Sequence, residues 1–521
     1  MSSTAAWDSP EPETRSGRIS SRLRRPAAIS SGLTLRLLLF VAIFSLAAVP
    51  PLDPDLWWHL ANGRLLVHTL SIPHVDVYSF SAAGQPWVMH EWLADLGMYG
   101  LFKIGGLPLL VALFAMVVTG AAVGLYCLLR AGGLAQTPSV LVTLLGALAG
   151  STAWGARPQL LNPLLAGLLL LGLLRYRQGR LSPWLLPPFI WLWANLHSGF
   201  MVGVIISGLF AAGEAFDCWR GAPKAMDGSR IRRLAIAIAL GLVLAAVNPF
   251  GIQALLFAVG TLTSSVIQNN IQEWASPDFH TLPGLLLEAL VFLLLAGLAT
   301  RRVKAPASEW LLAFALLYLA FSSQRHVPLF VLGAAPLLGR CVQATLAVAA
   351  SLMPDRLART PRKRSSVGRL GLPNLALLLV VGAGMVAYRA VPNLLTPNQE
   401  QAISAVEPVV AAGALGRTGK PARVFNYYDF GGYLVWTLGP SGSRVYIDGR
   451  VEVYGPRIFT DYLRVNYLGD GWQSVLQASR ADAVILPNGH PLVRLLQQDS
   501  SWQQFTRDRV ATVFTRVGFA P

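Results

Sequence analysis

The chain has 521 residues, 54% hydrophobic and only 13% charged, with a mean hydropathy of +0.50, whereas a soluble chain carries about a quarter charged residues. Its formal charge is +16, but Lys and Arg fall in short clusters between apolar runs and form no single basic patch among aromatic rings. This pattern excludes a nucleic-acid partner and matches the positive-inside distribution of a polytopic membrane protein.

In chain order, residues 1–32 form a basic, disordered cytoplasmic start, in which Arg15, Arg18, Arg22, Arg24 and Arg25 precede the first apolar run. They hold the N-terminus inside and send residues 51–105 outside as a first outer loop. A basic start followed by an apolar run ending in Ala47-Ala48 also fits a signal peptide, whose cleavage leaves the later topology unchanged. Runs able to cross about 30 Å of hydrocarbon begin near residues 33, 106, 138, 159, 182, 199, 231, 282, 307, 326 and 371, predicting an α-helical polytopic protein of about 11 transmembrane helices over 33–391.

Alternate crossings then collect Arg130, Arg175 to Arg180, Arg220 to Arg233, Arg301 to Lys304 and Arg356 to Arg369 on the inside. Only Arg64, Lys103, Arg157 and Arg325 remain outside. Residues 251–267 are apolar enough to mimic a span, but a crossing there would put the last two clusters outside, so they read as a helix at the outer interface.

After Tyr388 the composition becomes that of a soluble domain, and 392–521 is expected to be an external α/β domain. Strands are expected at Arg423–Asn426, Arg444–Ile447, Ala483–Leu486, Gln503–Asp508 and Ala511–Thr515, and helices at 398–413, 457–466 and 472–480. Cys127, Cys218 and Cys341 show neither disulfide nor zinc spacing and read as small buried apolar residues.

The first outer loop opens with Asp53-Pro-Asp55-Leu-Trp57-Trp58-His59 and closes with Trp87-Val-Met-His90-Glu91-Trp92. A carboxylate half desolvated beside indoles gains basicity and suits a general base, while the tryptophans fit an interfacial belt; a helix-capping role for the two aspartates is the plain alternative. Further outward polar groups recur at span ends: Arg157 with Gln159 and Asn162, Asn195 with His197, Asn248, Gln272 with Glu273, and Arg325 with His326. Arginine at that depth needs an anion or a carboxylate, which makes Arg157, Arg325 and His326 candidates to hold a phosphate, against snorkelling or a structural pair with a loop acid. Glu288, inside the eighth span, is either functional or an interhelical hydrogen-bonding group.

This plan of a first span, a long outer loop opening on an acidic motif and a second acidic motif at its re-entry resembles the GT-C superfamily of integral-membrane glycosyltransferases. The resemblance is strongest to bacterial inner-membrane members related to protein O-mannosyltransferases and lipid A aminoarabinose transferases, and it covers roughly residues 33–390. It implies a sugar donor on a polyprenyl phosphate or pyrophosphate, a glycan, lipid or protein acceptor, and inversion at the anomeric carbon on the outer face of the membrane. Asp55 or Asp53 then stands as the base, with His90 and Glu91 at the second acidic position and Arg325, His326 and Arg157 toward the phosphate.

Trp57, Trp58, His59, Asn195, His197 and Glu273 would complete the substrate site. Asp55, His90 and Glu91 are chemically able to bind a divalent cation, though nothing in their spacing requires one. Family members often have adjacent Asp-Glu where this chain has two aspartates split by a proline, which leaves the base open between them.

Asn426-Tyr-Tyr-Asp429-Phe-Gly431-Gly432-Tyr433 and Asp448-Gly449-Arg450 resemble an outer domain appended to some bacterial members. Asp448 and Arg450 read as a turn with an ion pair, or else as acceptor recognition. Two rivals stand beside the enzyme: a transporter or flippase, which usually shows inverted repeats absent here, and a non-catalytic assembly protein of the cell envelope.

Overall fold

The computed structural model describes residues 30–263, 268, 270–352 and 371–519. The reading of the N-terminal segment as disordered, and the cluster at Arg356 to Arg369, lie outside the described residues.

The membrane half runs α1 (Ser31–Ala47), α2 (Asp55–Thr69), α3 (Trp92–Ala131), α4 (Gln136–Ala149), α5 (Leu161–Arg177), α6 (Leu186–Leu196) and α7 (Phe200–Trp219). It continues with α8 (Gly228–Ala245), α9 (Ile252–Thr263), α10 (Leu282–Ala299), α11 (Ala307–Ser322) and α12 (Val327–Leu352), and closes on the helical segment α13 (Gly371–Leu394). A helix stands at each of the eleven expected runs, and among the described residues six are long and apolar enough to cross by length and composition: α3, α5 with its leading turn, α7, α10, α12 with its leading turn, and α13. The 11 residues of α6 rise about 16 Å, roughly half of the hydrocarbon thickness. An apolar run measures composition, whereas a crossing needs helix length as well.

The segment 51–105, expected as a first outer loop, is largely helical. It contains α2, and α3 begins in it at Trp92, well before the expected span. Gly105 and Gly106 interrupt α3 with φ of −140° and +63°, and Pro108 follows; a positive φ suits glycine, and the break separates an outer arm from the span proper. Helix α12 is the hub against which α3, α5, α10 and α11 pack. Small residues allow close backbone approach there: a side chain at Gly132 would meet the Pro336 carbonyl oxygen at 2.2 Å, and one at Gly297 would meet Cys341 at 2.2 Å. Cys341 is buried as expected, but Cys127 is exposed and Cys218 intermediate.

The C-terminal part contains β1 (Arg423–Asn426), β2 (Arg444–Val445), β3 (Ala483–Pro487), β4 (Trp502–Arg507) and β5 (Ala511–Arg516) in the order β2-β1-β3-β5-β4. The first three are parallel and the last two antiparallel, at the five expected places. The helix expected over 398–413 is instead two, Thr396–Ser404 and Val409–Arg417, because Pro408 disfavours helix at the residue before it. Helices Gly431–Leu438 and Pro491–Gln498 were not foreseen.

This domain is built onto the first outer loop. Tyr78 and Phe80 bond to β2 on either side of Val445, at 3.1 and 2.9 Å. One apolar core runs from α1, α2 and α3 into β1, β3 and Gly431–Leu438.

Candidate active site

The site begins where α2 starts. Asp53 accepts the amide N–H of Asp55 at 3.0 Å, which caps the first turn in the manner of an Asx residue before a helix. Its other oxygen lies 3.0 Å from Nε of Arg157 as an ion pair. Asp55, one turn from Trp58, accepts the indole N–H at 2.9 Å on Oδ1 and has Oδ2 3.6 Å from Arg157. Asp53 is thus the more engaged carboxylate, with its side chain 10% exposed against 29% for Asp55. Burial, then the charge of Asp53, push the Asp55 carboxyl up to about 7 against the pull of Arg157.

Arg157 also pairs with Glu273. Arg157, expected to be a phosphate ligand, stands within ion-pair reach of three carboxylates, Asp53, Asp55 and Glu273.

Below this lies a second buried group. His59, one turn on from Asp55, places Nδ1 2.6 Å from Asp95, which Asn62 also holds at 2.8 Å. Glu91 collects His197 Nε2 at 3.0 Å and His90 and His59 at 3.6 Å. Burial disfavours the imidazolium of His59, but Asp95 and Glu91 overcome it and raise the group to about 9. Burial likewise opposes charge on Glu91, yet its three imidazole neighbours hold it well below the usual carboxylate range. Nδ1 of His197 accepts the amide of Gly199 at 2.7 Å, so Nε2 carries the proton given to Glu91, and burial lowers this ring's basicity.

The three side chains whose ligand atoms lie within 4.8 Å of one another are His59, Glu91 and Asp95, a different set from Asp55, His90 and Glu91. A divalent cation held there would displace the proton shared in the 2.6 Å His59–Asp95 contact.

A cavity of about 620 Å³ joins these groups. Asp53, Asp55, Trp58, His59, His90, Glu91, Arg157, His197, Glu273 and Arg325 all reach it. Arg325 lies 4.5 Å above the Trp274 ring and donates to Gln159 at 3.2 Å. Among the described residues no carboxylate pairs with it. His326 lines a smaller adjoining cavity with Arg325, and its Nδ1 is buried without a partner.

Two expected substrate residues point elsewhere. Trp57 is 5% exposed and sits edge-on to Tyr433, since one residue's step from Trp58 turns it by about 100° around α2. Asn195 bonds the Trp92 indole at 3.1 Å and the carbonyl of Trp191 at 2.9 Å, so it ties helices together. Trp87, placed in an interfacial belt, is buried 4.5 Å from the Arg450 guanidinium.

The roof was missed by sequence reasoning, although its motifs were noticed. Tyr428, Asp429, Gly449 and Glu452 of the C-terminal part line the same cavity. A Cβ on Gly449 would lie 1.9 Å from Asp55 Oδ1 and one on Gly432 2.3 Å from the Pro54 carbonyl oxygen, so these glycines mark backbone pressed onto the start of α2. Arg450 is fully buried, bonds Asp448 at 2.9 and 2.6 Å, and reaches Asp76 of the first loop at 2.9 Å. It is the expected ion pair, extended into a tie between the two halves.

No family model and no curated protein matches the chain. Its fold is similar to that of several solved structures. It is similar to ArnT from Cupriavidus metallidurans bound to undecaprenyl phosphate (TM-score 0.50, 14% identity, 94% of this chain and 98% of that one), and to the same protein in the apo state (0.51, 15%, 94% and 98%). It is also similar to the archaeal oligosaccharyltransferase AglB from Archaeoglobus fulgidus in complex with an inhibitory peptide and a dolichol-phosphate (0.51, 12%, 87% and 69%). The likeness is one of fold: a mostly helical chain whose described residues include six helices long and apolar enough to cross a membrane, with a small C-terminal sheet.

Proposed function

We propose that the chain transfers a sugar from a polyprenyl-phosphate-type donor to an acceptor hydroxyl, with inversion, on the outer face of a bacterial inner membrane. The N-terminus is then cytoplasmic and residues 392–521 are external. The observation that carries this reading is the cavity that holds Asp55, raised to about 7, together with the ion-pair-free Arg325.

In this reading Asp55 takes the proton of the acceptor hydroxyl as its oxygen bonds to the anomeric carbon. The bond from that carbon to the donor phosphate oxygen breaks with its electron pair, and the phosphate leaves as an anion toward Arg325, with His326 beside it. A fixed cation in a partly dry cleft stabilises charge that develops during the reaction. Arg157 holds Asp53 and Glu273, and Asp53 orients its neighbour through the α2 cap. The lipid-bound neighbours support the donor class, since their ligands are undecaprenyl phosphate and dolichol-phosphate.

The test is donor consumption by the purified full chain offered a panel of labelled polyprenyl-phosphate sugars. Consumption of at least one donor, weakened by Arg325→Lys and further by Arg325→Ala, is expected, because Lys keeps the charge and loses the bidentate fork. Folded Arg325→Ala protein working at the wild-type rate removes the phosphate role.

A further inference from the structure

The outer wall of the cavity is unused by the chemistry above. It comes from the helix Val451–Asn466 and the residue that follows it, together with the segment before Gly431–Leu438. Asn466 reaches the cavity, and its Oδ1 receives two hydrogen bonds, from the Tyr462 hydroxyl and from His490 Nε2, each at 3.2 Å. The next links fix both donors. The Tyr462 oxygen accepts the Tyr428 amide at 2.9 Å, which leaves its proton for Asn466. Nδ1 of His490 accepts the Leu492 amide at 3.2 Å, so Nε2 bears the hydrogen.

Two donors converging on one atom identify it as the amide oxygen. The NH2 end, with two N–H groups, has no partner among the described residues. The relay thus presents a fixed donor pair from the cavity wall.

The wall carries aromatic rings and two carboxylates, Asp429 and Glu452. Tyr467 is 76% exposed, and Tyr427, Tyr428, Phe459 and Asp429 line the same cavity. The cavity's arginines come from elsewhere: Arg157 and Arg325 lie at the starts of membrane helices, and Arg450 is consumed by Asp448 and Asp76. A wall of rings with a fixed amide donor and carboxylate acceptors, with no unpaired arginine or lysine of its own among the described residues, matches a neutral polyhydroxylated ring. The C–H face of such a ring lies on an aromatic face, and its hydroxyls both give and take hydrogen bonds.

We infer that this wall is the acceptor subsite and that the acceptor is a neutral saccharide, with Tyr467 as the stacking platform and Asn466 and Asp429 as the hydroxyl partners. The word acceptor rests on the transferase reading; the ligand class rests on the wall alone.

The test separates the two. The full chain in detergent, without donor, is titrated with neutral gluco-, xylo-, galacto- and manno-oligosaccharides, and binding heat is recorded. At least one series binds, and Tyr467→Ala and Asn466→Asp each weaken it about tenfold, equivalent to about 1.4 kcal/mol; Tyr467→Trp restores it. Tyr467 is on the surface, so its variants fold even if Asn466→Asp disturbs the relay. Absence of binding across the panel, or binding indifferent to the Tyr467 variants, overturns the inference whether or not donor is consumed. Saccharide binding through Tyr467 in a protein that consumes no lipid-linked donor removes the transferase reading instead, and leaves the wall as a saccharide site.

Discussion

Arg64, Arg157 and Arg325 depart from an otherwise one-sided charge pattern in the sequence, and each has a local partner. Arg64 lies 4.1 Å over Trp436 and donates to its carbonyl at 2.8 Å, Arg157 gathers three carboxylates, and Arg325 faces the cavity without an acid. The same reasoning separates the two aspartates. Asp55→Asn keeps the shape and removes the base, so turnover falls by about 10² to 10⁴, while Asp53→Asn costs less because Asp53 caps α2. With its carboxyl at about 7, Asp55 is neutral below that value and ionised above it, so kcat/KM rises with pH through about 7 in the wild type; steady-state assays on the Asp55→Asn variant should lose that limb.

His59 has the opposite sign. Its folded value is raised from 6.5 to about 9, so the stability from its pairing is fully present below 6.5 and is lost as pH rises through about 9. Thermal unfolding of wild type should show Tm declining across that window, and His59→Gln should flatten the decline. Asp53, Asp55 and Glu91 were legible because polar residues at a span end stand out. Asp95 and the orientation of Trp57 were not, because one lies inside an apolar helix and the other differs from Trp58 only by rotation about α2.

At the scale of elements, the loop once expected to span 51–105 is two helical arms clamped by the C-terminal part. The five strands were readable from short β-branched runs between turn residues. The roof was not, because its contact with Asp55 is made by a glycine, which leaves no side-chain signal. Gly449→Ala places a methyl on the Asp55 carboxylate, whose flexible end must move. A misplacement of about 1 Å costs about 10²-fold, and the variant is expected to fold normally and lose turnover to that extent, as paired thermal-shift and activity assays would show. Arg450→Ala acts differently: it leaves Asp448 and Asp76 buried without their cation, at a cost of about 3–5 kcal/mol, and should lower Tm and loosen the C-terminal part to limited proteolysis.

For the whole molecule, apolar runs fixed where helices lie better than how many of them cross, since α6 is short and six helices satisfy length and hydropathy together. The external placement of 392–521 is testable without counting spans. An alkaline phosphatase fused after residue 521 should be active and a cytoplasmic fluorescent reporter there dark; the reverse would invert the proposed topology and place the cavity on the wrong side for a lipid-linked donor. The most direct measurement is donor turnover by the full chain in proteoliposomes, wild type against the double variant Asp53→Asn, Asp55→Asn. The account predicts that wild type consumes a polyprenyl-phosphate sugar and that the folded, inserted double variant does so at least about 10²-fold more slowly. Equal rates would contradict it and take the first outer loop out of the chemistry.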